Sequence, residues 1–298
     1  MMNAIAHQFD DALRYNESMS RHTSWRVGGN ADVFFTPQSR AQLLAFLTEQ
    51  AADTPLTWVG LGSNLLVRDG GVRGVVISTT PALASFEVGS DGIIDVGAGL
   101  ACTVLARKVV RLGFGPAEFF AGIPGTIGGA LSMNAGAFGG EAWNNVESVD
   151  VANRKGELIT RQRDAYDVGY RHVVAPANDE WFLGARFRFV PDAETSMSRV
   201  TALIQERREK QPLGLPSCGS VFRNPEGDYS ARLIEACGLK GFHIGGAEVS
   251  PKHANFIINT GAATAENIEE LILHVQSVVE REHGILLQPE VRIVGESA

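Results

Sequence analysis

The densest run of glycine and small polar residues in this 298-residue chain is GIPGTIGGALSMNAGAFGG, residues 122–140, which holds seven of the 33 glycines. That density is expected to be too high for a helix or strand interior and to suit close approach by backbone. Peptide N–H groups freed of side chains can point together at an anion, so a pyrophosphate is the expected guest. The residues concerned are Gly122, Ile123, Pro124, Gly125, Thr126, Gly128, Gly129, Asn134, Ala135 and Gly136. A second loop, VGLGSNLLV (59–67), follows the apolar run LTWV and puts Gly60, Gly62, Ser63, Asn64 and Leu65 at its tip. Either loop alone is explained as well by a tight turn, and two in one half of the chain favour a shared anionic ligand. Gly60 and Gly62 begin a GxGxxG pattern, but Leu65 stands at its third position and no GKS or GKT occurs. A Rossmann fingerprint and a P-loop are therefore unsupported. A side chain placed at Gly62 or Gly125 is expected to disturb ligand retention more than the fold.

The elements that must position these loops are legible in the pattern. Up to about residue 190, short β-branched or aromatic runs (DVFF, LTWV, GVVI, GIIDV, FRFV) alternate with glycine punctuation. Ser39 to Ala51 opens on a Ser39…Gln42 capping box and carries Leu43, Leu44, Phe46 and Leu47, which predicts a helix. Cys102 to Arg111 predicts a second. After Pro191 the texture changes, with a helix over Ser196–Lys210 and the strongest periodicity over Thr264–His283, where Gly284 ends it. The last helix is expected to cover the sheet of a second domain. This is an α+β pattern, with a boundary near 191–196 and no internal repeat.

Composition narrows the function. Apolar residues at 44% and charged residues at 20% are ordinary for a globular protein. No apolar run reaches the roughly 18 residues that a spanning helix needs, and the start MMNAIAHQFDDALRYNES has no basic end followed by an apolar stretch. A cytoplasmic protein without membrane insertion is expected. Cys102, Cys218 and Cys237 form no CxxC pair, so neither a disulfide framework nor a metal site is indicated. With 26 Lys+Arg against 34 Asp+Glu, the net charge of -8 disfavours nucleic acid as a partner and leaves phosphate to a few placed donors.

Taken together, SWRVGGNAD (24–32), GLGSNLLVRDGGVRGVVI (60–77), GIPGTIGGALSMNAGAFG (122–139), GSVFRNP (219–225) and PEVRIVG (289–295) closely resemble the UDP-N-acetylenolpyruvoylglucosamine reductase (MurB) family. The match runs in order over nearly the whole chain. The resemblance implies a two-part FAD-binding region of the vanillyl-alcohol-oxidase-like (PCMH) type over 1–192, divided near residue 78, and an α+β substrate-binding domain over 193–298. The C-terminal strand would be able to return to the FAD region. It implies non-covalent FAD held by the two glycine loops, NADPH as co-substrate, and reduction of UDP-N-acetylglucosamine enolpyruvate to UDP-N-acetylmuramate.

The same resemblance implies catalytic roles for Arg171 in YRHV, Ser220 in GSVF and Glu290 in PEVR. Hydride delivered to the enolpyruvyl methylene pushes negative charge onto the neighbouring carbon and its carboxylate, which calls for a cation. Arg171 suits this because its guanidinium stays charged and forks onto carboxylates. Ser220 resembles the family's proton donor to the carbanion-like carbon. A protonated Glu290 would help stabilise the enolate-like carboxylate. Without the motif each residue has a plainer explanation: a strand-end arginine, a turn serine and a solvated edge glutamate. For the UDP end the candidates are Arg208, Lys210, Arg223, Asn224, Lys252, His253 and Asn255.

Arg223 and Val173 depart from the lysine and serine common in the family, and the stretch between Arg171 and Ser220 is too short for the tyrosine-bearing loop of one family form. The chain reads as the shorter form. Cys218 as a nucleophile lacks a histidine in its motif, so a small buried residue is favoured. A flavin oxidase of the same fold and a non-catalytic nucleotide-binding module are the rival classes. Oligomeric state has no signature here.

Overall fold

The computed structural model describes residues 9–80, 82–89 and 92–298. The N-terminal expectation rests in part on residues 1–8, which lie outside the described residues. The chain divides into two compact units. Of the described residues, the first comprises 9–15, Val33–Gly60 and Gly74–Gln205, and the second Asn16–Asp32, Leu61–Arg73 and Glu206–Ala298. Strand and helix are mixed throughout, as the α+β expectation requires.

In the first unit an antiparallel five-stranded sheet runs in the order Leu158–Gln162, Val146–Asn153, Glu180–Arg188, Ile93–Gly97, Phe86–Val88. A four-stranded sheet follows the order Leu13–Ser18, Asn30–Phe35, Val72–Ser78, Leu56–Val59, its last pair parallel with Leu56 opposite Val75. Helix α1 (Arg40–Glu49) is capped by Ser39, whose Oγ accepts from Gln42 N at 3.1 Å. The other half of the expected box is displaced by one turn residue, because the Gln42 side chain accepts from Gln38 N instead. α1 buries Leu43, Phe46 and Leu47, with Phe46 stacked on Phe35 at 3.9 Å between centroids. Helix α2 (Cys102–Arg111) buries Cys102, Leu105, Ala106, Val109 and Val110, one face at helical spacing, in a core that includes Ile94 and Val96 of the five-stranded sheet.

Helix α3 (Ile127–Met133) lies inside the glycine-rich segment and contains Gly128 and Gly129, so the expectation that this run is too glycine-dense for a helix is corrected. Its first turn is stabilised from outside. Ile127 N donates to Leu100 O at 2.9 Å, Gly128 N to Ala98 O at 2.8 Å, and Gly129 N to the Thr126 cap at 3.4 Å. These are amides that a helix leaves without internal partners, and satisfying them offsets the entropic cost of glycine. Asn134, at φ 48°, ends the helix in the left-handed region.

The second unit is built around α6 (Ala265–His283), preceded by α4 (Met197–Lys210), which begins in the first unit, and α5 (Ser230–Ala236). α6 buries Ile268, Leu271, Ile272, Val275, Val278 and Val279 in one core with Ala247, Val249 and Ile257 of an antiparallel three-stranded sheet, His243–Ile244, Ala247–Val249 and Ile257–Asn259. Trp25, fully buried, donates its indole N–H to Ile257 O at 2.7 Å and accepts from Asn259 Nδ2 at 2.9 Å through its carbonyl. The C-terminal strand Arg292–Val294 pairs in parallel with Leu65–Val67.

α6 is held at both ends. Gly284 closes it at φ 69°, as expected from the sequence. At the start, Thr264 and Asn267 form a reciprocal capping box, and the Asp69 carboxylate accepts from Ala265 N at 3.1 Å and Glu266 N at 2.9 Å. A carboxylate there also meets the positive end of the helix dipole. Asp69→Ala is expected to lower unfolding free energy by about 0.5–2 kcal/mol, the usual cost of losing a cap. Equilibrium urea unfolding measures it, and an unchanged midpoint would show that Thr264 caps the helix alone.

Candidate active site

In the first unit the site residues gather around the glycine segment. Arg171 sits at the tip of the hairpin formed by Asp167–Gly169 and His172–Val174, with φ 53°. A left-handed arginine is costly and persists only where its surroundings hold it. Here Nη1 donates to Asn134 O at 3.2 Å, Nη2 donates to Gly136 O at 2.9 Å, and the guanidinium lies 5.0 Å from the Tyr170 ring centroid. Asn134 is buried and its amide is committed to the protein: Nδ2 donates to Glu141 Oε2 at 2.8 Å and Gly169 O at 3.0 Å, and Oδ1 accepts from Trp143 N at 3.1 Å. One asparagine thus ties the helix end, the glycine segment and the arginine hairpin together.

Backbone without side chains, the surface a pyrophosphate needs, is accessible at Gly125, Gly128 and Gly129, and a Cβ on Gly129 would meet nothing closer than 3.7 Å. This cradle fits the FAD expected there. Other glycines are explained by the protein itself. A Cβ at Gly60 would come 2.5 Å from Thr126 Oγ1, and one at Gly122 would come 2.6 Å from Ala137 Cβ and from the Phe138 ring. Ala135 is buried, and Ile123 belongs to the core.

In the second unit Gly62 adopts φ 60° and a Cβ there would stand 1.9 Å from His22 O. The expectation that a side chain at Gly62 spares the fold is therefore corrected, since backbone already occupies that space. Among the described residues, the Ser63 hydroxyl has no protein hydrogen bond, which leaves it available to a ligand oxygen. Leu65 is buried, and its carbonyl accepts from the Cys218 thiol at 3.5 Å.

Ser220 and Glu290 are brought together by main chain. Phe222 bridges Pro289 in antiparallel sense, Glu290 N donates to Val221 O at 2.7 Å and Arg223 N donates to Gln288 O at 2.9 Å. Asn64 Nδ2 donates to Glu290 O at 3.1 Å, and Arg292 N donates to Asn64 O at 3.1 Å. The Ser220 hydroxyl is half-buried and makes no protein hydrogen bond among the described residues. Gly219 before it has φ 74° with open space around its Cβ position, so glycine is required there by torsion.

The residues expected at the UDP end divide. Lys252 Nζ donates to Arg208 O at 2.5 Å, which joins two of them. Lys210 pairs with Glu206 at 2.6 Å on an exposed face. Asn224 Oδ1 accepts from Ser230 N at 3.1 Å at the start of α5. Arg223 Nε and His253 Nδ1 are buried without protein partners, and burial lowers the His253 pKa. Asn255 is buried and spends both ends of its amide on Phe222. The roles of Asn64, Asn134 and Asn255 as supports were missed in the sequence, because an asparagine bonded to backbone leaves no spacing pattern. Cys218 is the small buried thiol expected, with its pKa pushed up to about 12 by burial.

No helix among the described residues is long and apolar enough to cross a membrane, and no group of three His, Cys, Asp or Glu among them is placed to hold a metal. Residues 211–294 match the family model for the UDP-N-acetylenolpyruvoylglucosamine reductase C-terminal domain, and residues 31–161 match that for an FAD binding domain. The UDP-N-acetylenolpyruvoylglucosamine reductase of Alkalilimnicola ehrlichii is 54% identical over 96% of this chain and 95% of its own. That of Methylococcus capsulatus is 50% identical over 95% and 93%. The crystal structure of the enzyme (MurB) from Thermus caldophilus superposes with a TM-score of 0.79 at 30% identity, covering 95% of this chain and 100% of that one.

Two outcomes test the site's packing. Gly62→Val is expected to cost about 3 kcal/mol or more, from a strained torsion together with overpacking. A urea midpoint equal to the parent's would overturn the steric argument. Thiol-specific reagent at pH 8 is expected to label Cys237, which is half-buried, well before Cys218 and Cys102, both buried and held protonated. Mass mapping of the labelled sites reads the order.

Proposed function

Because the chain belongs to the UDP-N-acetylenolpyruvoylglucosamine reductase family, an oxidoreductase family of peptidoglycan synthesis, we propose that it reduces UDP-N-acetylglucosamine enolpyruvate to UDP-N-acetylmuramate with NADPH. FAD, when bound, relays a hydride from NADPH to the enolpyruvyl methylene carbon. The partly exposed backbone at Gly125, Gly128 and Gly129 suits its pyrophosphate. Residues 1–192 carry the cofactor and 193–298 take the substrate in this reading, with the two family matches falling on either side of that division. All three thiols are free, in keeping with the cytoplasmic placement that the reading carries.

Arg171 binds the substrate carboxylate and offsets the charge that builds on it as the hydride arrives. Ser220 gives its hydroxyl proton to the carbon beside that carboxylate, so one hydride and one proton together saturate the double bond. Glu290, in its protonated form, donates a hydrogen bond that stabilises the enolate-like carboxylate. Arg208, Lys210, Arg223, Asn224, Lys252 and His253 supply the charge and donors for the UDP end. The observation that carries the reading is the Ser220 hydroxyl, half-buried, uncommitted to the protein and held by backbone bonds beside Glu290. A hydroxyl is a weak acid, and it serves here because the carbanion-like carbon is strongly basic.

Purified protein is expected to be yellow, to release free FAD on denaturation, and to convert the enolpyruvyl nucleotide to the lactyl product, read by NADPH loss and mass. Absence of flavin, with no affinity for added FAD, would sink the reading. Ser220→Ala is expected to leave NADPH-driven bleaching of the flavin nearly intact and to slow its recolouring by the enolpyruvyl substrate by about 10²–10⁴-fold, the usual loss for a general acid. Equal slowing of both half-reactions, or of neither, would make Ser220 structural.

A further inference from the structure

Ser220 is attached to the fold on both sides. On its N-terminal side, Gly219 adopts a left-handed torsion, and Cys218 before it is buried with its thiol against the carbonyls of Gly62 and Leu65. On its C-terminal side, the next two residues are gripped from both edges. Val221 O accepts from Glu290 N at 2.7 Å, and Val221 N donates to Asn255 O at 2.9 Å. Asn255 then binds Phe222 with both ends of its side chain: Oδ1 accepts from Phe222 N at 2.9 Å and Nδ2 donates to Phe222 O at 2.8 Å. Three bonds from one residue, 4% exposed, fall on the two consecutive residues that follow Ser220.

We propose that Asn255 is a positioning residue for the reduction, a side-chain surrogate for a strand neighbour that holds the Ser220 hydroxyl at one spacing from Glu290. The inference rests on the reaction assigned above. A carboxamide matches both main-chain groups of one residue, donating and accepting as an adjacent β-strand would. Alanine provides neither function at this position, and aspartate, when ionised, only accepts. The segment is gripped by Asn255 on one edge and by Gln288–Glu290 on the other, with the Asn64 amide holding the Glu290 carbonyl in turn. The hydrogen-bonded part of that hold reaches the hydroxyl through Val221 and Phe222. A buried asparagine elsewhere in the same unit gives the comparison. Asn259 Nδ2 donates to Trp25 O at 2.9 Å, and its Oδ1 accepts from Gly261 N at 2.8 Å and Ala263 N at 3.2 Å, none of which adjoins Ser220 or Glu290.

The test compares Asn255→Ala with Asn259→Ala in flavin-loaded protein, normalised to the folded fraction. Rapid mixing reads the two half-reactions, and hydrogen exchange reads peptides covering 219–223 and 288–291. Asn255→Ala is expected to keep its flavin content and NADPH half-reaction, while the substrate half-reaction at saturation slows about tenfold to hundredfold, the scale of a small misplacement of reacting groups. Exchange should quicken in both peptides. Asn259→Ala should slow the substrate half-reaction less than about threefold, because the atoms it releases lie away from the reacting groups. If Asn255→Ala does not fold, Asn255→Asp, which keeps the acceptor for Phe222 N–H, carries the same comparison. Equal slowing in the Asn255 and Asn259 variants, or no slowing with the Asn255 change, overturns the proposal. Should the unaltered protein fail to turn over the enolpyruvyl substrate, the assigned function falls and exchange alone judges the clamp: faster exchange in the Asn255 variant only supports it, and unchanged exchange overturns it.

Discussion

A peptide group that leaves water without entering a helix or sheet still has to find a donor or acceptor, and the cost of failing is comparable to a lost hydrogen bond. The segments that carry the candidate site residues are of that kind. Ser220 and Glu290 lie outside the named strands, and the glycine segment turns repeatedly. Asparagine meets the requirement at each place. Asn134 joins the end of α3 to Glu141, Gly169 and Trp143, Asn255 completes Phe222, and Asn64 and Asn259 complete Glu290 and Trp25. Such bonds are strong in a low-dielectric interior and costly to leave half-made, which makes each a point of definition in otherwise irregular chain.

The regular elements were read well from periodicity. α1, α2 and α6 fall within about two residues of the helices expected, because each buries an apolar face over ten residues or more. α3 and α5, seven residues each, are too short to show a period. α3 also carries two glycines in a turn whose amides are satisfied by the Thr126 cap and by Leu100 and Ala98, the last two distant enough in sequence to give no local signal. Glycine was legible as close approach and ambiguous as to what approaches. At Gly60, Gly62 and Gly122 it is the protein's own atoms, while a Cβ at Gly129 would make only an ordinary contact, 3.7 Å from Thr126 Oγ1.

The candidate site was legible through resemblance rather than through chemistry in the pattern. Arg171, Ser220 and Glu290 are single residues of common types, far apart in the chain, and spacing says nothing of a hairpin torsion or a backbone bridge. Once the fold is present, the plainer explanation can be judged for Arg171. Arg171 is not a solvated strand-end arginine, since it is half-buried with its guanidinium on two main-chain carbonyls. Among the seven residues considered for the UDP end, Asn255 differs from the others in giving its whole side chain to the protein.

Cys218 sits two residues from Ser220, with its thiol against the carbonyls of Gly62 and Leu65. Oxidation of cysteine begins at the thiolate, and its yield follows thiolate fraction and access. Burial suppresses both here, so the sulfur beside the site is chemically quiet. An oxidoreductase built this way ages slowly there: peroxide in its surroundings would reach the more accessible Cys237 before it reached the sulfur of Cys218.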